Sequence, residues 1–489
     1  MFRPTLNEAK TIAASNEYNV LPVSMEIFSD IATPIEALKR LMGASKHCFI
    51  LESAEDTKNW GRYTFLGFDP KMEVTCLNGE MKIISEKTEI IKTDNPNKQI
   101  QEILDNHKSI KLDYLPPFTG GLVGYFAYDY AKYGEPTLKL DAADEECFND
   151  VDLMLFDKVI AFDNFRQKII LIVNINTGNI EEEYKKGIDE LNKLRTLIKD
   201  GQPGNIPTAN VKSDFKEMFT KEEYCKMVLK AKDHIKDGDI LQVVLSNRFE
   251  ADFEGSIFDT YRVLRTINPS PYMFYFSGSN LEIAGASPET LVKLHNGKLF
   301  TFPLAGTRKR GATDEEDITL EKELLADKKE LLEHDMLVDL GKDDLGKISK
   351  PGSIKVEKYM AVLRFSHVMH IGSTISGEIR EPYKGLDAIN AVLPAGTLSG
   401  APKIRAMQII NEQEQNKRGI YGGAIGYLDF TGNMDTCIAI RIVYKRSNKV
   451  FVRCGAGIVA DSNPESEYQE CINKSAAVIN ALKQSSGGI

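Results

Sequence analysis

The chain has 489 residues, of which 42% are hydrophobic and 27% charged, as in a globular protein with a sizeable core. Its net charge of −10 argues against nucleic acid or an anionic membrane as a main partner. The seven cysteines include no CxxC pair, and no apolar run reaches the length of a membrane span. We therefore expect a cytoplasmic protein with reduced thiols, no nucleic-acid partner and no membrane association.

Helices and short strands alternate along the first 200 residues. Thr33-Pro34 predicts the start of a helix, and the apolar residues 48–51 predict a strand that ends at Glu52-Ser53. Alternating residues at 72–76 and 81–84 predict antiparallel strands. Glycine and proline make residues 200–207 the best linker of the sequence. We therefore divide the chain into an N-terminal region, 1–205, and a second module, 213–483.

The second module begins with a capping box and then mixes strands and helices. Thr220 and Glu223 have the capping-box spacing and predict a helix that continues to about residue 236. Residues 242–246 predict a buried strand, residues 327–340 a helix, and residues 421–427 and 438–441 the last pair of strands. This pattern favours an α/β fold.

A strand followed by small residues lies near the C-terminal end of the sequence. Residues 450–453 predict the strand, and the Gly-Ala-Gly segment 455–457 predicts a turn. Glycines lack a Cβ, so a ligand could lie directly against backbone N–H groups of this turn.

The next segment predicts a helix with two carboxylates on one face. Ser462 or Asn463 can cap it, and Pro464 suits its first position. Glu467 and Glu470 are three residues apart and therefore share a face. Two carboxylates beside a glycine segment suit a hard cation such as Mg²⁺, whereas the alternative interpretation is a solvated acidic helix face.

Several blocks occur in an order that resembles the chorismate-utilising enzymes, most closely component I of the anthranilate synthases. The resemblance covers residues 20–482, and it implies an α/β fold with two large, facing, mostly antiparallel β-sheets and helices on the outside. The blocks include Leu51-Glu52-Ser53, Pro271-Tyr272-Met273, Phe-Pro-Leu-Ala-Gly-Thr-Arg at 302–308, and Leu-Pro-Ala-Gly-Thr-Leu-Ser-Gly-Ala-Pro-Lys at 393–403.

The resemblance implies a set of site residues. Catalysis would fall to Glu289, which would protonate the leaving hydroxyl, His370, which would assist loss of pyruvate, and Thr397. Magnesium would be held by Glu333 and Glu470, with Glu467 as a helper. The substrate would be bound by Gly306, Thr307, Tyr421, Arg441, Gly455, Ala456 and Gly457.

Two positions discriminate between reactions of these enzymes. Aminodeoxychorismate synthases usually carry a nucleophilic lysine where this chain has Ala305, and isochorismate and salicylate synthases carry a water-activating lysine where it has Gln242. The expected reaction is therefore that of a lyase: chorismate and ammonia give anthranilate and pyruvate, the first step of tryptophan biosynthesis. Aminodeoxychorismate synthase, isochorismate synthase and a non-enzymatic, amino-acid-binding regulatory subunit remain alternatives.

The resemblance also implies an inhibitor and a partner. Ser53, Pro271, Tyr272 and Met273 match the walls of a pocket for L-tryptophan as feedback inhibitor. The chain lacks a Gly-x-Cys-x-Gly nucleophile turn, so a separate glutamine amidotransferase, component II, would supply ammonia within a hetero-oligomer. The segment 341–346 departs from the family pattern, because Lys342 and Asp343 stand where Arg and Asn are usual.

Overall fold

The computed structural model describes residues 2–54, 60–364 and 368–488. Short 3-10 helices, among them Gly396–Leu398, lie between the longer elements. The α-helices are α1 (Leu6–Ala14), α2 (Pro34–Ala44), α3 (Pro96–Asp105), α4 (Ala131–Gly134), α5 (Ile180–Asp200), α6 (Lys221–Lys236), α7 (Phe258–Ile267), α8 (Asp314–Ala326), α9 (Lys328–Gly346), α10 (Gly385–Val392), α11 (Lys403–Glu414) and α12 (Pro464–Ser485).

Several helices begin at residues whose side chains cap the first turn. The Thr33 side chain accepts a hydrogen bond from the backbone N–H of Glu36 at the start of α2. Thr220 and Glu223 form the predicted capping box of α6. Asn463, rather than Ser462, caps α12.

The strands in the described part of the chain form one sheet of 14 strands and one of 12. They are β1 (Phe2–Arg3), β2 (Val20–Phe28), β3 (Cys48–Glu52), β4 (Tyr63–Phe68), β5 (Met72–Leu77), β6 (Glu80–Ile84), β7 (Thr88–Lys92), β8 (Gly121–Phe126), β9 (Val151–Phe156), β10 (Lys158–Asp163), β11 (Lys168–Asn176), β12 (Asn210–Val211), β13 (Lys216–Glu217), β14 (Gln242–Glu254), β15 (Tyr272–Ser277), β16 (Leu281–Ser287), β17 (Thr290–His295), β18 (Lys298–Thr301), β19 (Leu304–Lys309), β20 (Lys355–Arg364), β21 (Val368–Glu378), β22 (Gly400–Ala401), β23 (Ala424–Asp429), β24 (Met434–Ile438), β25 (Ile442–Arg446) and β26 (Lys449–Ile458).

Both sheets are antiparallel in every pair of these strands. The 14-stranded sheet has the order β1-β2-β11-β10-β4-β3-β15-β16-β25-β26-β14-β12, and β13 and β22 also pair with β14. The 12-stranded sheet has the order β19-β21-β18-β17-β24-β23-β8-β9-β5-β6-β7, and β20 also pairs with β21.

The sheets face each other across an aromatic layer, with helices on their outer faces. The rings of Phe49 and Phe156 lie 4.7 Å apart in this layer, and those of Phe118 and Tyr427 lie 4.5 Å apart. Helices α2, α5, α6, α7 and α12 pack on the outside of the larger sheet, and α9 and α10 on the smaller. The predicted α/β architecture is confirmed.

Strands from both predicted regions meet in each sheet. β3 pairs with β15 in the larger sheet, and β8 pairs with β23 in the smaller. The proposed boundary falls between α5 and β12, where residues 201–209 form neither helix nor strand. The division into 1–205 and 213–483 stays a prediction. No helix in the described ranges combines the length and apolar character needed to cross a membrane.

The turn expected at residues 455–457 is wrong, because β26 continues through these residues. Gly455 pairs with Ser246 and Gly457 pairs with Val244 in β14. A Cβ on Gly455 would lie 2.7 Å from the carbonyl oxygen of Leu245 and 3.0 Å from the Tyr421 hydroxyl. Close packing in a strand, rather than a turn, therefore requires glycine at this position.

Candidate active site

A cavity of about 610 Å³ lies where β14 and β26 of one sheet approach β19 and β21 of the other. Helices α9 and α12 and the 3-10 helix Gly396–Leu398 complete its walls. Each predicted catalytic and metal-binding residue lines this cavity, and so do the predicted substrate-binding residues with one exception. The predicted residues in its lining are Glu289, Gly306, Thr307, Glu333, His370, Thr397, Tyr421, Arg441, Gly455, Gly457 and Glu470.

The exception is Ala456, whose side chain lies on the opposite face of β26. It is fully buried in the core between the larger sheet and its helices. Successive residues of a strand point to opposite faces, so Gly455 and Gly457 face the cavity while Ala456 does not. Contact between the Ala456 side chain and a substrate is therefore ruled out by this strand geometry, and only its backbone remains available.

Glu289 lies in the connection between β16 and β17 and is 9% exposed. The Thr397 hydroxyl donates a hydrogen bond of 3.2 Å to its Oε1. Burial raises the pKa of Glu289 to about 7, although Thr397, Arg441 and Lys474 act in the opposite direction. The carboxyl is therefore partly protonated near neutral pH, as a general acid requires.

His370, on β21, lies beside a bulge in the neighbouring strand β19. Its Nδ1 lies 3.0 Å from the carbonyl oxygen of Gly306 and 3.0 Å from the Thr307 hydroxyl oxygen. Burial lowers the pKa of His370, so the ring is neutral at pH 7. A neutral ring that donates from Nδ1 to the Gly306 carbonyl has Nε2 as its acceptor, which is the state of a general base.

Two backbone irregularities shape the walls of the cavity. The register of β19 with β21 shifts between Ala305 and Thr307, and Gly306 in the shift has φ +63°. Bulges of this kind re-aim side chains beside functional sites. Arg441 has φ +52°, an uncommon conformation for a residue with a side chain, and its partly buried guanidinium suits a substrate carboxylate.

Four carboxylates approach the cavity from two helices: Glu330 and Glu333 on α9, and Glu467 and Glu470 on α12. Burial, followed by the charge of Glu330, raises the pKa of Glu333, and burial also raises that of Glu467. The Lys474 ammonium lies 2.6 Å from Oε1 of Glu470 and 3.1 Å from the carbonyl oxygen of Gly455.

Glu333 and Glu470 are the candidate ligands for a metal ion at this end of the cavity. Within the described residues, no three His, Cys, Asp or Glu side chains form a ready metal cluster. A site with two protein carboxylates nevertheless matches the habit of Mg²⁺, which keeps water and substrate oxygens as its other ligands. A divalent cation would also offset the burial and repulsion that raise the pKa of Glu333.

Sequence reasoning missed four charged residues that line the cavity: Lys329, Glu330, Arg453 and Lys474. Lys474 follows Glu470 by four residues, a helical spacing that could have placed it on the same face. Gln242 and Ala305, which were singled out as discriminators of the reaction, also line the cavity. The side-chain oxygen of Gln242 is buried and makes no hydrogen bond with a described residue.

A second cavity, of about 600 Å³, contains part of the predicted inhibitor site. Pro271, Tyr272 and Ala54, the neighbour of Ser53, line it. The backbone N–H of Ala54 donates to the carbonyl oxygen of Ser270 at 3.0 Å, and β3 pairs with β15 just beyond. The predicted meeting of these two distant segments is confirmed, while their role in binding tryptophan stays a prediction.

The resemblance makes Met273 part of the wall of the inhibitor pocket, but its side chain does not face the second cavity. Met273 is 2% exposed and packs in the core beneath the helices, on the opposite face of β15 from Tyr272. The reason is again strand alternation, which places consecutive side chains on opposite faces. Met273 can therefore offer only its backbone to a ligand in the second cavity.

The sequence profile of the family described as chorismate binding enzyme matches residues 46–480, and the chain belongs to this family. Anthranilate synthase component 1 of Acetivibrio thermocellus is 45% identical, with 99% of each chain covered, and that of Aquifex aeolicus is 44% identical, with 96% of each covered. These relatives confirm the predicted resemblance to component I and the assignment to enzymes of this lyase type.

Solved structures agree with this assignment. The crystal structure of anthranilate synthase component I from Streptococcus pneumoniae matches with a TM-score of 0.75 and 36% identity, covering 92% of this chain and 98% of that one. The isochorismate synthase MenF of Escherichia coli, at 19% identity and a TM-score of 0.71, shares the fold. The fold alone therefore does not choose between the reactions of this family.

Proposed function

We propose that the chain is the large subunit of an anthranilate synthase and converts chorismate and ammonia to anthranilate, pyruvate and water. One observation carries the proposal: a single cavity contains a carboxyl with a pKa near 7, a neutral histidine, a partly buried arginine and a carboxylate pair. Relatives with the printed name of component 1 support it along nearly the full chain.

Cationic groups and backbone would hold the substrate. Chorismate carries two carboxylates, and the cavity offers the Arg441 guanidinium and the Lys474 ammonium to them. Gly455 and Gly457 keep the floor of the cavity free of side chains, so the substrate can approach β26 closely. Tyr421, with its hydroxyl beside Gly455, closes the same wall.

Glu289 and His370 would move protons in two successive steps. Glu289 donates its proton to the 4-hydroxyl of chorismate, which leaves as water while ammonia adds at C2 and the ring double bonds shift. His370 then accepts the proton from C2 as the bond between C3 and the enolpyruvyl oxygen breaks and the ring becomes aromatic. The enolpyruvate that leaves takes up one proton at its methylene carbon and becomes pyruvate. Thr397, bonded to Glu289, would hold the carboxyl in place.

Magnesium is proposed as the cofactor, held by Glu333 and Glu470 with Glu467 nearby. When bound, it would supply positive charge to a substrate carboxylate. In this structure Glu470 forms an ion pair with Lys474, the next cationic group on the same face of α12.

The residues at the two discriminating positions favour ammonia as the nucleophile. Ala305 presents a methyl group to the cavity, so no covalent enzyme intermediate can form there. Gln242 presents an amide, which cannot deprotonate water. Both observations count against the aminodeoxychorismate and isochorismate alternatives.

The test is turnover of chorismate by the purified chain with Mg²⁺ and ammonium at alkaline pH. We expect a rise in anthranilate fluorescence and one pyruvate for each anthranilate. Formation of aminodeoxychorismate or isochorismate, separated by chromatography, would favour the alternative enzymes. A chain that binds chorismate or amino acids without turnover would support the regulatory-subunit alternative.

We propose a glutamine amidotransferase subunit as the source of ammonia, and the cytoplasm as the location. All seven cysteines lie in the described part of the chain as free thiols, and six of them are shielded from solvent at least in part. Because the chain lacks a Gly-x-Cys-x-Gly nucleophile turn, the purified chain should use ammonium but not glutamine. Added component II should restore glutamine-dependent turnover. Equal rates from glutamine and ammonium by the chain alone would contradict the need for a partner.

We propose, finally, that L-tryptophan inhibits by binding at the junction of Ser53 with residues 271–273. The second cavity offers the ring and backbone of Pro271 and Tyr272, and the hydroxyl of Ser53 would bond the amino-acid end. Pro288 and Leu304 line both this cavity and the catalytic one. A ligand in one cavity could therefore displace a wall of the other.

A further inference from the structure

A third cavity, of about 190 Å³, lies between the inner faces of the two sheets and shares no lining residue with the two cavities above. Strands β5, β8 and β9 form one wall, and β15, β16 and β25 form the other. Most of the layer between the sheets is aromatic and aliphatic, whereas this part of it contains ionisable groups.

Two carboxylates and a tyrosine hydroxyl converge on one side of this cavity. Tyr125 and Asp152 are directly opposite each other in the β8–β9 pair, and Glu73 lies on the neighbouring strand. Tyr125 is 2% exposed, and its hydroxyl lies beside the backbone of Asn149 without a hydrogen bond of ordinary geometry to any described residue. Burial, together with the charge of Glu73, raises the pKa of Asp152 to about 7.

A guanidinium and apolar side chains form the rest of the lining. Arg446 uses Nη1 to donate to the carbonyl oxygens of Glu146 and Cys147, and its other nitrogens bond no described residue. The guanidinium lies 5.2 Å from the ring centre of Phe148. Phe276 and Met154 supply apolar surface between the charged groups.

We propose that this cavity binds a free α-amino acid with an apolar side chain. The ammonium group would be held by Asp152 and Glu73, the carboxylate by the remaining donors of Arg446, and the side chain by Phe148, Phe276 and Met154. Asp152 already accepts a hydrogen bond of 3.1 Å from the Asn149 amide, and a ligand cation would further relieve the repulsion between the two partly buried carboxylates. The volume is close to the roughly 150 Å³ of a cavity that holds benzene, so a single ring or a branched aliphatic chain is the expected size.

The chemistry of the lining separates this ligand from simpler ones. An inorganic anion would face two carboxylates, and a divalent cation would gain nothing from the guanidinium or from the aromatic wall. An amine without a carboxylate would leave the free donors of Arg446 without a partner, and an acid without an amine would leave the carboxylates repelling each other. Only a molecule with both groups pairs each side of the cavity.

The test is calorimetric titration of the full chain with L-phenylalanine and L-leucine, beside phenethylamine and 3-phenylpropionate. We expect saturable binding of the amino acids and affinities about tenfold or more lower for the two analogues that lack one charged group. Asp152→Asn and Arg446→Met should each weaken amino-acid binding by about tenfold or more. Glu73→Gln, on the neighbouring strand β5, provides a further variant if either of these fails to fold by circular dichroism.

Two controls assign the site. Glu470→Gln, in the catalytic cavity, and Ser53→Phe, beside the second cavity, should leave the affinity for L-phenylalanine unchanged. Loss of binding in Ser53→Phe with normal binding in folded Asp152→Asn would assign the ligand to the second cavity and overturn the proposal. Absence of saturable binding to the wild-type chain below about 10 mM of either amino acid would also overturn it.

Discussion

Burial of Glu289 gives its carboxyl a pKa of about 7, so the group retains a proton at a pH where a free glutamate has lost it. The same burial has a cost for the folded state. Because the folded form binds this proton more tightly than the unfolded form, stability falls as pH rises from the unfolded pKa through the folded one. Catalysis and stability therefore make opposite demands on this residue.

Glu289→Gln should abolish most turnover and stabilise the protein at alkaline pH. The amide cannot donate the catalytic proton, and a fall of about 10²-fold or more is expected. It also carries no charge to bury, so the variant should be more stable than wild type by about 3 kcal/mol at pH 8 and by less than about 1 kcal/mol at pH 5. Paired activity assays and denaturant unfolding at both pH values check this. Equal stability of the two proteins at pH 8 would contradict the assigned protonation.

Ala305→Lys should redirect the reaction. The position lies on β19 in the wall of the catalytic cavity, so a lysine there would place an amine near the substrate. Anthranilate yield should fall about tenfold or more, and aminodeoxychorismate should become detectable. Chromatography of the products measures the yields of anthranilate and aminodeoxychorismate. Ala305→Met is the control for the size of the side chain alone. Equal losses in both variants would attribute the effect to size and remove Ala305 as a determinant.

The resemblance identified the site residues, but their protonation states could be inferred only from the structure. Glu289 and His370 could be predicted from motif order, but the directions of their pKa shifts depend on burial by segments distant in sequence. Strand alternation turns the side chains of Ala456 and Met273 away from the two cavities, so only their backbone groups can contact a ligand there. Alternation would have been visible in the sequence had residues 455–457 been read as a strand instead of a turn.

Helices α9 and α12 bring the candidate metal ligands together from segments that are far apart in the chain. Neither helix alone offers more than an acidic face, and the site exists only because both pack against the end of the same cavity. Helical periodicity predicted each face, but not that the two faces would meet, because that depends on the sheets that carry the helices.

Glu333→Gln and Glu470→Gln should each nearly abolish turnover while leaving the fold intact. Each amide keeps the shape of the side chain but removes a charge that a hard cation requires. In wild type, Mg²⁺ should raise the melting temperature in the presence of chorismate, and this shift should shrink in both variants. Glu465→Gln, on the first turn of α12 and outside the cavity, is the matched control. Near-normal rates at saturating chorismate and limiting Mg²⁺ would rule out the metal assignment.

Helix α9 continues six residues beyond the predicted end at 340, through the segment that departs from the family pattern. Asp344, which is buried, explains the extension: it accepts hydrogen bonds from Lys403 at 2.6 Å and from Lys347 at 2.9 Å. Burial lowers the pKa of Lys403, yet the paired carboxylate favours its charged form. This ion pair joins α9 to the first residue of α11.

Asp344→Ala should destabilise the protein by about 3 kcal/mol, because it leaves the Lys403 ammonium buried without its partner. The neighbouring Asp343 is exposed on the same helix, so Asp343→Ala should change stability by less than about 0.5 kcal/mol. Denaturant unfolding of the two variants at pH 7 makes the comparison. Similar losses in both would show that helix propensity, not the ion pair, holds this end of α9.

In the whole molecule, each of the two sheets contains strands from distant parts of the chain. Local periodicity could predict strands and their antiparallel hairpins, but not the pairing of β3 with β15 or of β8 with β23, which depends on long-range packing. This long-range pairing also gives the catalytic cavity and the second cavity a common wall. Glu289 follows Pro288, and Ala305 follows Leu304, and both preceding residues also line the second cavity.

This shared wall predicts how L-tryptophan would inhibit the enzyme. A ligand that holds Pro288 or Leu304 in an arrangement unsuited to catalysis need favour it by only about 1–3 kcal/mol to reduce turnover substantially. Ser53→Phe should fill the junction of residues 52–54 with 270–273 and relieve inhibition, with turnover retained when tryptophan is absent. Ser53→Ala, which removes only the hydroxyl, should weaken inhibition less. The measurement is the rate of anthranilate formation against tryptophan concentration for the three proteins. A wild-type enzyme indifferent to millimolar tryptophan, or a Ser53→Phe variant inhibited as strongly as wild type, would exclude this site while leaving the catalytic assignment intact.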